Sequence, residues 1–172
     1  MIISIYIRPL VIRDALTSYM WSNDPQIWNY TMKKMTRYIS PEIETEWLRE
    51  CLTHTDQANF AICVRELDTY IGNVRLVDVK DKTAEVHIFI GNKLYWGKGI
   101  GYQAIIQILE YGFFEAELES VFLRVHPANI SAIRVYEQAG FEIKGRDEGF
   151  IVMDISKREF IERQIPVRSG GK

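Results

Sequence analysis

The run Tyr95-Trp96-Gly97-Lys98-Gly99-Ile100-Gly101 follows an apolar, strand-like stretch and precedes an apolar, helix-like one. Glycine at alternate positions removes side chains where the backbone turns from strand to helix, so successive N–H groups can converge on one anion. The positive end of the following helix dipole faces the same point. A phosphate-bearing ligand is the chemistry such a turn supports; the alternative is a glycine-rich turn with no ligand. A Walker loop is excluded, because Gly99 rather than a hydroxyl residue follows Lys98. The dinucleotide fingerprint is excluded too, because Gly101 falls one residue short of its last spacing.

Further along, the chain reads Val125-His126-Pro127-Ala128-Asn129-Ile130-Ser131-Ala132-Ile133-Arg134-Val135-Tyr136-Glu137-Gln138-Ala139-Gly140-Phe141. Taken with the glycine loop, this segment resembles the GNAT superfamily of N-acetyltransferases, in particular the branch holding ribosomal-protein N-terminal and polyamine acetyltransferases. The resemblance implies that Trp96, Gly97, Lys98, Gly99, Ile100 and Gly101 grip the pyrophosphate of acetyl-CoA. Trp96 stands where the family often carries Gln or Arg, which leaves backbone contacts at that position. The resemblance also implies that backbone N–H groups of Ile88, Phe89 and Ile90 lie beside the acetyl group. Asn129, Ala132 and Tyr136 would flank the pantetheine arm and the thiol.

The implied reaction is attack of a neutral amine on a thioester, which needs a proton acceptor for the amine and a proton donor for the thiolate. Tyr136, seven residues after Asn129 and on the same helix face, is the candidate donor, since a phenol is protonated at neutral pH. A core tyrosine is the alternative, as a plain helix cap is for Asn129. Glu85 and His87, two residues apart, share one strand face. Glu85 is the first candidate for the proton acceptor and His87 the second; both also fit ordinary strand positions. The resemblance places the acceptor amine near Trp21, Asp24 and Tyr30, with Gly149 and Phe150 at the same mouth. Two tryptophans, a tyrosine and an acid there suggest a partly apolar, weakly anionic pocket, or aromatics closing a small core. A peptide α-amine is the first acceptor class, and a polyamine or amino sugar the second. A CoA-binding domain without turnover is the rival from another class.

The elements that must position these residues follow from pattern. Strand-like runs at Ile3–Arg8, Asn59–Glu66, Tyr70–Val79, Thr83–Ile90, Val121–Val125, Phe141–Lys144 and Phe150–Ile155 alternate with helical spacing at Asp14–Trp21, Ser40–Leu52, a stretch after the glycine loop ending near Ala116, and Asn129–Ala139. A β-meander followed by β-α-β predicts one α/β (α+β) domain, residues 1–160. Its mixed, mostly antiparallel sheet has about seven strands and about four flanking helices. Residues 161–172 are expected to form a polar tail. With 172 residues, 47% of them hydrophobic, the chain suffices for one substantial core. The net charge of −2 argues against nucleic-acid or anionic-membrane partners, and the N-terminus lacks signal-peptide character. Two distant cysteines, Cys51 and Cys63, fit a reducing cytoplasm and offer no metal set. The expected partners are acetyl-CoA and an amine, with a homodimer left open.

Overall fold

The computed structural model describes residues 2–31 and 36–165. The strands are β1 (Ile5–Pro9), β2 (Ala58–Val64), β3 (Thr69–Lys80), β4 (Thr83–Ile90), β5 (Ser120–Val125), β6 (Glu142–Asp147) and β7 (Phe150–Ser156). The α-helices are α1 (Ala15–Ser22), α2 (Pro25–Trp28), α3 (Pro41–Thr53), α4 (Ile100–Glu110), α5 (Ile130–Ala139) and α6 (Lys157–Gln164). The strands form one seven-stranded sheet in the order β1-β2-β3-β4-β5-β7-β6. Only the β4–β5 neighbours run parallel; every other pair is antiparallel.

Strand alternation divides the side chains between two layers. Ala84, Val86, Val121, Leu123, Met153 and Ile155 point into the main core, against Ile100, Ala104, Ile105, Ile108 and Leu109 of α4. Ile88 packs there as well, which turns Glu85 and His87 to the opposite face. On that opposite face Ala61 and Cys63 meet Leu10, Ala15 and Leu48, so α1 and α3 cover the β1–β3 half. Helix α4 also seals the free edge of β1. Gln103 donates to the Ile3 carbonyl and accepts from the Ile5 N–H, while Gln107 does the same for the Ile5 carbonyl and the Ile7 N–H. The two glutamines, four apart on one helix face, supply the edge with the partners a further strand would give.

The fold departs from the sequence reading in its helices. Among the described residues there are six α-helices against the expected four or so. Asp24 caps Pro25–Trp28, a turn too short to show periodicity. The second addition, α6, has a capping box between Ser156 and Glu159 and buries Phe160 against Phe113, with ring centroids 5.4 Å apart. Residues 161–164 therefore belong to the helix rather than to a polar tail. The rest of the expected tail, from 166, lies outside the described residues. The helix after the glycine loop ends at Glu110 and continues as a π turn over Tyr111–Glu115.

The feature that creates a site is the end of the parallel pairing. β4 and β5 are matched at Thr83–Ser120, Ala84–Val121 and Glu85–Phe122, and no further. Beyond that point β4 stays with β3 out to Ile90, and β5 stays with β7 out to Val125. The two strands diverge into a wedge, and residues 86–90 turn alternate backbone N–H and C=O groups into it without a strand partner.

Candidate active site

The glycine loop stands at the wide end of this wedge. Gly97 and Gly99 have φ of +69° and +75°, the left-handed region that side chains disfavour. A Cβ on either would meet no protein atom within 4 Å, so packing does not demand glycine there. Backbone conformation does, and the open space lets a ligand reach the N–H groups at the start of α4. Trp96 closes the loop onto β4: its indole Nε1 donates to the Ile90 carbonyl at 2.8 Å. Lys98 is exposed, its ammonium 5.6 Å from the centre of the Tyr95 ring. Ile100 is buried as the first residue of α4, and Gly101 lies 3.9 Å from Val135 of α5 when given a Cβ. The loop therefore sits beside α5 as well as β4.

On α5, Asn129 caps the helix, its Oδ1 accepting from the Ala132 N–H and the Ser131 hydroxyl. Its Nδ2 has no partner among the described residues and remains a donor. Ala132 and Tyr136 pack on the main core. Tyr136 contacts Phe141 edge-to-face at 5.9 Å, and its hydroxyl has no hydrogen bond among the described residues. Burial pushes this phenol up to about 12. It stays protonated across the neutral range.

The opposite face of the wedge carries the polar residues. Glu85, only 3% exposed, sits at the last parallel pair. Arg124 on β5 reaches across to it, Nε donating to Oε1 at 3.0 Å and Nη2 to Oε2 at 2.9 Å. The His87 Nε2 lies 3.3 Å from the same Oε1. Burial would raise the Glu85 carboxyl, but the hydrogen bonds from His87 and Arg124 outweigh it and hold the group at about 2. A carboxylate so held is a weak proton acceptor at neutral pH. The remaining Arg124 nitrogen, Nη1, donates to Asp147 at the end of β6, 3.2 Å away.

Of the residues expected around the amine, the structure brings some together. Trp21 meets Phe89 edge-to-face and Trp28 meets it at a tilt, with centroids at 6.0 and 5.1 Å, and the Trp28 Nε1 donates to the Trp21 carbonyl. Gly91 makes room for Trp21, since a Cβ there would fall 2.0 Å from the indole. Tyr30 reaches His126, which in turn meets Phe150, both at 5.7 Å between ring centres. The expected anionic pocket is not formed by Asp24. Its carboxylate caps α2 and pairs with Lys93 at 2.6 Å, so its charge is neutralised within the chain. Sequence reading passed over Arg124 and His126. The signal was present: Arg124 shares one face of a mostly apolar run with Phe122, and His126 continues the same alternation one residue past its end.

The geometry presents a glycine loop at a helix N-terminus, an open strand wedge and a cluster of ionisable side chains on one of its faces. The model of the acetyltransferase (GNAT) domain matches residues 4–142. The chain belongs to this family and is an acetyl-CoA-dependent N-acetyltransferase. A probable N-acetyltransferase of Bacillus subtilis is 29% identical over 151 residues, covering 83% of this chain and 82% of the relative. Among solved structures, the spermidine N-acetyltransferase of Vibrio cholerae in complex with CoA and spermine superposes with a TM-score of 0.81 at 22% identity, over 91% of this chain and 98% of that one. An aminoglycoside acetyltransferase in complex with coenzyme A gives 0.80 at 19%, over 94% and 100%.

Proposed function

We propose that the chain acetylates the primary amine of a small molecule rather than the N-terminus of a folded protein. The observation that carries this reading is the contact of Tyr30, His126 and Phe150, which links the segment after α2 to the β6–β7 hairpin across the β5 wall. Rings that meet there bring the two segments together beside the wedge, a placement that suits a small acceptor better than an emerging polypeptide. Aromatic faces on both walls suit an ammonium-bearing acceptor. The names of the two solved neighbours, for spermidine and for aminoglycosides, support the same acceptor class.

Acetyl-CoA supplies the acetyl group as an activated thioester. Gly97, Gly99 and the first N–H groups of α4 would hold its pyrophosphate, and the Asn129 Nδ2 its amide arm. Backbone N–H groups of residues 86–90 that open into the wedge would hold the acetyl carbonyl. His87 accepts the amine proton at Nδ1, because Nε2 is turned to Glu85. Glu85 orients the imidazole and stabilises it once protonated. Tyr136 holds a proton at Oη for a departing thiolate. The test is a comparison of kcat/KM for spermidine, aminoglycosides and amino sugars with that for short peptides bearing free N-termini. A small amine should exceed every peptide by at least tenfold; a peptide preferred over all small amines would overturn the proposal.

A further inference from the structure

Arg124 occupies an unusual position. It is the one cation on the β5 wall of the wedge, two residues past the last parallel pair, and it spans the opening to grip a carboxylate on the other wall. Glu85 on its own strand lies against His87; Arg124 on β5 and Asp147 at the end of β6 reach it through Glu85, and Arg75 is its register partner on β3. Arg75 lies with its guanidinium over the Trp47 ring at 5.6 Å, directed toward α3. The balance at His87 is therefore set by Glu85 and whatever shares Glu85 with it.

We propose that Arg124 is a positioning residue for acetyl transfer: by holding both oxygens of Glu85 and anchoring itself on Asp147, it keeps the Glu85–His87 pair from closing into a permanent ion pair, so that His87 meets the amine as a neutral imidazole. This inference rests on the reading of His87 as proton acceptor. Without Arg124, a carboxylate that is 3% exposed would have the imidazolium as its nearest cation. An opposite charge within hydrogen-bond reach favours the charged form of histidine, and loss of the neighbouring guanidinium favours it further. Both effects have the same sign. Neutralising Glu85 while keeping Arg124 has the opposite one.

The experiment follows the imidazole directly. The chain has three histidines, so the His87 ring signals are assigned by their loss in His87→Gln and titrated by NMR in the free enzyme. Arg124→Gln should raise the His87 midpoint by about one pH unit, and Glu85→Gln should lower it, while His126 stays put. In parallel, the low-pH limb of kcat/KM should move in the same directions. Arg124→Gln would lose up to about tenfold at pH values below both midpoints, less near neutrality, and recover by about pH 9. A merely structural role for Arg124 would lower activity equally at every pH and leave the titration where it was; that result overturns the proposal. If Arg124→Gln does not fold, Arg124→Lys, with one donor nitrogen in place of three, should move the titration in the same direction by less, and an unmoved titration would refute the idea. Failure to acetylate any amine would instead overturn the functional reading, and the titration would still decide the arrangement.

Discussion

Replacing Gly99 with valine separates what the glycine loop does for folding from what it does for the ligand. Gly99 has φ +75°, and an added Cβ would meet nothing within 4 Å. The cost to folding is therefore backbone conformation alone, about 1–2 kcal/mol for a side chain in the left-handed region. For a domain of this size that lowers Tm by about 2–8 °C, and the fold survives. The ligand is affected differently, because the branched side chain would stand in the space from which a pyrophosphate approaches the α4 N–H groups. Acetyl-CoA at about 100 times its Kd should stabilise the wild type by about 2.7 kcal/mol; a roughly thirtyfold loss of affinity leaves about 0.9 kcal/mol. Thermal melts with and without acetyl-CoA, with ATP and NAD as comparisons, measure both terms. Gly145→Ala, at a site equally open but on β6, should leave the ligand shift intact. A Gly99→Val protein that melts lower yet keeps the full acetyl-CoA shift would refute the assignment of the loop.

Three further outcomes are expected. Tyr136→Phe keeps the ring on Phe141 and removes one unpaired hydroxyl, so acetyl-CoA affinity should hold while kcat falls on the order of 100-fold; a folded variant with full turnover would return Tyr136 to the core. Glu85 sits at about 2 in the fold against an ordinary 4.5, so its contribution to stability is complete above about pH 5 and is lost as pH falls toward 2. That contribution is on the order of 3 kcal/mol. Urea unfolding from pH 6 to 2 should show this loss in the wild type and not in Glu85→Gln; parallel curves would contradict it. Gly91→Ala places a methyl group 2.0 Å from the Trp21 ring, so the unfolding free energy should fall by about 1–3 kcal/mol and the Trp21–Phe89 contact should be displaced, raising KM for the amine; an unchanged KM would separate Trp21 from the acceptor site.

The strands were legible because alternation and hairpin spacing are local signals, and Ile88 facing the core fixed the orientation of Glu85 and His87. The glycine loop and the α5 segment were legible as a motif, including Asn129 as the helix cap that the structure displays. The short helix Pro25–Trp28 was not, since one turn carries no period, and α6 was hidden in a segment whose only strong apolar anchor is Phe160. The electrostatics of the site were the least legible part. Asp24 read as a free acid until Lys93, 69 residues later, closed on it. Glu85 read as a base until Arg124, on another strand, took both of its oxygens. Pairings across such distances depend on strand order, which a single chain's pattern does not encode residue by residue.

The most direct test of the account mixes the purified chain with acetyl-CoA and a panel of small primary amines, following free thiol and the acceptor by mass spectrometry. The account predicts thiol release matched one for one by an acceptor one acetyl group heavier on nitrogen, lost in Tyr136→Phe and dependent on the His87 titration. Thiol release without an N-acetylated amine, or no release with any amine under conditions where acetyl-CoA raises the Tm, would contradict it.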